Sequence, residues 1–81
     1  MGNVLVKRNM NEIERVSSES GNQFIDIVQA DDGSYMLHQF VRKFDPEEEQ
    51  YYVIRISPDP AGKFGDLTVA FSEAKKIMAL I

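Results

Sequence analysis

Three runs of β-branched and aromatic residues, QFIDIVQA, SYMLHQFVRKF and YYVIRIS, follow one another between Gln23 and Ser57, with only DDG and DPEEEQ between them. Such side chains suit a pleated, half-buried surface. A glycine-bearing turn between two such runs is a hairpin signal. The cluster SPDP ends the third run, because Pro58 and Pro60 lack the N–H that an interior strand residue contributes. The order predicts a three-stranded antiparallel meander.

The last segment, GDLTVAFSEAKKIMALI, allows a strand over Leu67, Val69 and Phe71 or a helix. Helical spacing gathers Leu67, Ala70, Phe71, Ala74, Ile77, Met78 and Ile81 into one core-facing stripe and leaves Thr68, Ser72, Glu73, Lys75 and Lys76 outside it. Asp66 suits the N-cap, where its carboxylate accepts from free amides of the first turn. The helix is the stronger reading. Val69 and Leu80 then lie on its far side, as surface residues or as contacts to something else. The end on Leu80-Ile81, with neither glycine cap nor polar tail, implies either that it docks firmly or that the segment is a piece of something longer.

Upstream, NVLVKRN suits a short extended segment. NMNEIERVSSES opens on asparagine with early glutamates and sets Met10, Ile13 and Val16 or Ser17 on one face of about two turns, as a short helix would. A ragged strand is the alternative, and the short helix is favoured. The fold class is therefore α+β: a meander, a C-terminal helix across one face, and a short N-terminal helix or strand, in one domain spanning residues 1–81.

Strand alternation makes neither face of this meander clean. Met36, His38, Phe40, Arg42 and Phe44 oppose Tyr35, Leu37, Gln39, Val41 and Lys43. Tyr52, Ile54 and Ile56 oppose Tyr51, Val53 and Arg55, and Phe24, Val28 and Ala30 oppose Ile25 and Ile27. A half-solvated antiparallel sheet normally separates apolar from polar. One helix covers one face only, and each large apolar side chain left in water forfeits about 1.5–3 kcal/mol. At 81 residues with no cysteine, the chain has a thin core and no disulfide or thiolate metal site to reinforce it. Either the N-terminal element blankets the second face, or that face meets a partner, of which a second copy is the commonest kind. The candidate interaction surface comprises Tyr35, Leu37, Val41, Tyr51, Val53, Arg55, Val69 and Leu80.

Other constellations carry less. His38, the only histidine, sits mid-strand with no nucleophile or acid constellation implied, and reads as structural or surface. Asp31-Asp32-Gly33-Ser34 lacks the glutamate that a helix–loop–helix calcium loop requires six residues after its glycine; position 39 is Gln, so a hairpin turn accounts for it. Glu47-Glu48-Glu49 reads as a solvated turn. AGKFG lacks phosphate-loop spacing, and Asp66 would repel an anion at the helix start. Arg42-Lys43 with Phe40, Phe44, Tyr51, Tyr52 and Arg55 forms a basic–aromatic patch able to stack bases, although a net charge of −4 opposes phosphate binding.

Three strands followed by GKFGDLTVAFSEA are similar in outline to the plant ethylene-response type of DNA-binding domain, through Gly62, Phe64, Ala70 and Ala74, and to the strand–helix half of double-stranded-RNA-binding domains. The basic strand residues of the first and the lysine-rich helix start of the second are missing. No functional residue is carried over, and no family membership follows.

No apolar run approaches the roughly 20 residues of a membrane span, and MGNVLVKR has neither a signal-peptide core nor the myristoylation pattern, since Val6 replaces the required Ser or Thr. The expectation is a cytoplasmic, non-enzymatic binding or regulatory protein without cofactors, acting through protein–protein contact and self-associating as a dimer. A nucleic-acid-binding module is the alternative.

Overall fold

The computed structural model describes residues 11–81. The extended segment expected at NVLVKRN lies outside the described residues. Five elements follow in order: β1 (Asn11–Ser17), β2 (Gln23–Gln29), β3 (Tyr35–Asp45), β4 (Gln50–Ile56) and α1 (Leu67–Ala79). The strands form one sheet in the order β1-β2-β3-β4, every neighbouring pair antiparallel. The α+β class and the C-terminal helix agree with expectation, but the sheet has four strands rather than three.

The extra strand is β1, on residues whose spacing predicts a short helix. An isolated two-turn helix is marginal in water, because nucleation fixes several residues for few hydrogen bonds. As a strand the same residues gain a ladder with β2, and Val16, opposite Ile25, packs against the core. A register shift between Glu12 and Glu14 places Ile13 at a bulge. The SESGN turn that follows uses Gly21 in the left-handed region, with Ser18 accepting from Gly21 N–H.

Both expected hairpins form. In the β2–β3 turn, Asp32 Oδ1 accepts from Ser34 N–H and Ser34 Oγ, while Lys63 Nζ lies 3.3 Å from Asp32 Oδ2. These partners pull the Asp32 carboxyl down to about 2, Ser34 foremost. Residues 46–49 join β3 to β4, with Glu49 in the left-handed region and Asp45 opposite Gln50. Asp66 caps α1 by accepting from Thr68 N–H at 2.9 Å.

The helix lies across β1, β2 and β3 and does not reach β4. Beneath it, Ile25, Ile27 and Leu37 are fully buried against Ala70, Ala74 and Met78. The alanines repeat at i and i+4, so the helix brings a smooth stripe close to the sheet and the branched strand residues fill the gap. Tyr35, Phe64, Leu67, Phe71 and Ile77 close the margins. Tyr35 and Phe64 exchange both main-chain hydrogen bonds, at 2.7 and 2.8 Å, which extends the β4 side of the sheet past the end of that strand. Among the described residues, no helix is long and apolar enough to cross a membrane.

Candidate functional site

Position relative to the helix divides β4 from the rest of the sheet. Its partner β3 runs eleven residues, longer than the seven of β2, so residues 42–45 of β3 and 50–53 of β4 project past β2 as a two-stranded arm. Residues 54–56 still lie beside β3 residues that pair with β2, and none of β4 is under the helix. Asp45 faces Gln50, and the ladder continues without a break through Phe44–Tyr51, Lys43–Tyr52, Arg42–Val53, Val41–Ile54 and Phe40–Arg55. Partners across a strand pair share a face. Val41, Lys43, Tyr52 and Ile54 are therefore on the helix side, whereas Phe40, Arg42, Phe44, Tyr51, Val53 and Arg55 are on the far side.

Both sides of the arm carry exposed apolar surface. Phe44, Tyr51, Tyr52, Val53 and Ile54 are all exposed, Tyr51 at 60%. Phe44 and Tyr51 meet edge to face at 5.0 Å, and the Arg42 guanidinium lies 4.6 Å over the Tyr51 ring. YYVIRI has the near-continuous apolar pattern of a strand buried on both faces. Here it is the outermost strand of the sheet.

Its free edge has a definite composition. Arg42 N–H donates to the Asn22 carbonyl on the β2 side, so the Arg42 main chain points away from β4. In a regular antiparallel ladder, the main chain of its partner Val53 then points outward as well, with those of Tyr51 and Arg55 by alternation. Tyr35, at odd spacing from Arg42, points its main chain to Phe64 on the β4 side, as this alternation demands. Tyr51, Val53 and Arg55 thus present three N–H and three C=O groups to whatever lies beside the sheet.

A second constellation crosses the far face. Asp26, only 8% exposed, accepts from Arg15 Nε at 2.7 Å and from a second guanidinium nitrogen at 3.1 Å. That bond holds the Arg15 pKa above its ordinary value. His38 is the cross-strand neighbour of Asp26, and its Nε2 lies 3.9 Å from Asp59, which in turn accepts from Arg55 at 2.7 Å. Burial, followed by the Arg55 charge, pushes the His38 pKa down against the pull of Asp59 and Asp26. Arg15 also covers the Phe24 ring at 4.1 Å, and Phe24 stacks on Phe40 at 5.1 Å. Beside this stack an open concavity of about 400 Å³ is lined by Arg15, Asp26, Phe40, Arg42 and Val53, among others.

The expected interaction surface is thereby redistributed. Leu37 is fully buried beneath α1, and Tyr35 is half-buried against the same core. Val41 lies on the helix side of the arm, and Tyr51, Val53 and Arg55 lie on the opposite side. Val69 and Leu80 are exposed on the helix, Leu80 at 84%, remote in sequence from the arm. Tyr52 and Ile54, absent from the expected surface, complete it on the helix side. The basic–aromatic patch divides too, because Lys43 and Tyr52 are separated by the sheet from Phe40, Arg42, Phe44, Tyr51 and Arg55.

Comparison with known proteins leaves this geometry to be read by itself: no family model, no curated protein and no solved structure matches the chain.

Proposed function

We propose that this chain is a small, non-enzymatic cytoplasmic binding or regulatory protein that acts through protein–protein contact, and that the β3–β4 arm is the surface by which it self-associates. The single observation behind the proposal is an outermost strand with exposed apolar side chains on both faces and main-chain groups along its edge that no described strand pairs. Contiguous apolar surface of this kind marks interaction sites, and an uncovered strand edge is a template for another strand. Sedimentation of the purified chain across micromolar concentrations tests the reading. A mass that rises toward twice the 9.2 kDa chain supports it. A strict monomer throughout overturns it.

The nucleic-acid reading keeps one specific observation in its favour, namely Arg15 and Arg42 poised over aromatic rings on the far face. Stacking platforms flanked by cations suit single-stranded nucleic acid. Asp26 and Asp59 interrupt that surface, and the net charge of −4 opposes a phosphate backbone. A salt titration with single-stranded and duplex DNA or RNA separates the two readings; negligible affinity at low salt removes the second.

A further inference from the structure

The side chains of the arm explain why something docks there, and its main-chain geometry narrows how. We propose that the occupant is a second copy of this chain, whose β4 adds antiparallel to β4 about a twofold axis at Val53, joining the two sheets into one of eight strands. This rests on the self-association reading and adds its register.

A closed dimer of identical edges needs a twofold axis. An axis parallel to the strands would set each N–H against its own counterpart N–H, donor facing donor. An axis perpendicular to the sheet makes the strands antiparallel, so that donors meet acceptors. β4 runs from Gln50 to Ile56, and its midpoint is Val53, one of the three residues whose main chain points outward. Centring there pairs Val53 with Val53 of the copy and Tyr51 with Arg55 in both directions, engaging all the outward N–H and C=O groups of both strands. Centring on Tyr52 or Ile54 leaves one outward residue of each strand opposite a residue beyond β4, and therefore forms fewer bonds.

Side chains agree with the same register. On the helix side, Tyr52 of each copy lies opposite Ile54 of the other, an aromatic–β-branched pair of the kind that stabilises sheets. On the far side Arg55 meets Tyr51 rather than its own counterpart, which sets a cation beside an aromatic ring and keeps like charges apart. Tyr51 would then lie between the Arg42 that already covers it and the Arg55 of the copy. The helix stops short of β4, so no element of the described fold blocks the approach.

Single cysteines test this directly, because the chain has none of its own. Hydrogen-bonded antiparallel partners have Cα atoms about 5.5 Å apart, inside the span a disulfide bridges. Val53→Cys, oxidised at concentrations where the wild type associates, is expected to convert most of the chain to a covalent dimer. Tyr51→Cys alone is expected to stay uncrosslinked, because its counterpart lies four residues along the strand, roughly 14 Å away. Tyr51→Cys mixed with Arg55→Cys is expected to yield the mixed disulfide, which also covers the case that the Val53 variant misfolds. Association that persists with no cross-link at Val53 and none between positions 51 and 55 overturns the edge register while leaving self-association standing. Efficient cross-linking by Tyr51→Cys alone overturns it in the same way. A wild type that never leaves the monomer removes both. Polymers without a defined end, in place of a dimer, overturn the closed twofold.

Discussion

The two outer strands of the described sheet are the same length and differently guarded. β1, NEIERVS, carries Glu12, Glu14 and Arg15 among seven residues, has a bulge at Ile13, and lies partly under the helix. β4, QYYVIRI, has one charge, an unbroken register and no contact with the helix. Charged side chains, bulges and covering helices are the devices by which sheets avoid pairing edge to edge. Among the described residues, all three apply to β1, whereas β4 has only the single charge of Arg55. The apolar content of β4 is therefore not a deficiency of the core. The core closes without it, under α1, around Ile25, Ile27 and Leu37.

Truncating one side chain in each place separates that core from the arm. Leu37→Ala removes a fully buried side chain shared by neither edge, and a loss of about 2–5 kcal/mol of folding stability is expected by denaturant unfolding. Ile54→Ala, measured at concentrations low enough to suppress association, is expected to cost under about 1 kcal/mol, because that side chain is 43% exposed and outside the helix footprint. Equal losses at the two positions would mean that the arm belongs to the core after all.

Transplanting a β1-type guard to β4 comes next. Ile54→Lys sets a charge opposite Tyr52 of the second copy, and about a tenfold or greater weakening of association, near 1.4 kcal/mol, is expected by sedimentation. The same substitution is expected to leave the far-ultraviolet circular dichroism of the monomer unchanged. Association as tight as the wild type's would shift the docking surface elsewhere, to Val69 and Leu80 on the helix for example.

Much of the architecture was legible because its signals are local. DDG and DPEEEQ mark the two hairpins, and the stripe from Leu67 to Met78 with Asp66 before it marks the helix, all without reference to distant contacts. β1 was hidden by its own bulge. Ile13 and Val16 are three apart, which is helical spacing, but in the strand Val16 packs against the core while Ile13, at the bulge, is exposed. The proposed docking surface was half legible, for a reason that lies in strand pairing. Alternation assigns the faces within β3 and within β4, but joining one strand's faces to the other's requires the turn. Four residues between Asp45 and Gln50 pair odd positions of β3 with even positions of β4, so Val41 belongs with Ile54 and not with Val53. The packing of Leu37 and Tyr35 against the core depends on which face α1 takes, and no local pattern declares it.

A smaller effect concerns the polar belt that ties guarded β1 to the interior. Asp26→Ala removes both bonds to Arg15 and is expected to cost about 1–2 kcal/mol, below the full value of a charged pair because the Arg15 side chain is half exposed. Stability of that variant should also lose the salt sensitivity that the pair confers; a cost near zero would mean that β1 is held by its ladder and Val16 alone.

The smallest effect is in pH. His38 has a folded pKa below its ordinary 6.5, so below that pH the unfolded chain binds a proton that the folded chain resists. The stabilisation from keeping His38 neutral is fully present above pH 6.5 and is lost as the pH falls from there toward and through the lower folded value. Thermal unfolding between pH 7.5 and 5 is expected to show this decline, and His38→Gln to flatten it. An unchanged decline in the variant would assign it to other groups.

Amide hydrogen exchange at low and high protein concentration examines the open edge most directly. Tyr51, Val53 and Arg55 should exchange quickly in dilute solution and gain protection together as concentration rises, while Tyr52 and Ile54, already bonded to β3, should stay protected throughout. Association that leaves those three amides exchanging as fast as before would contradict the account.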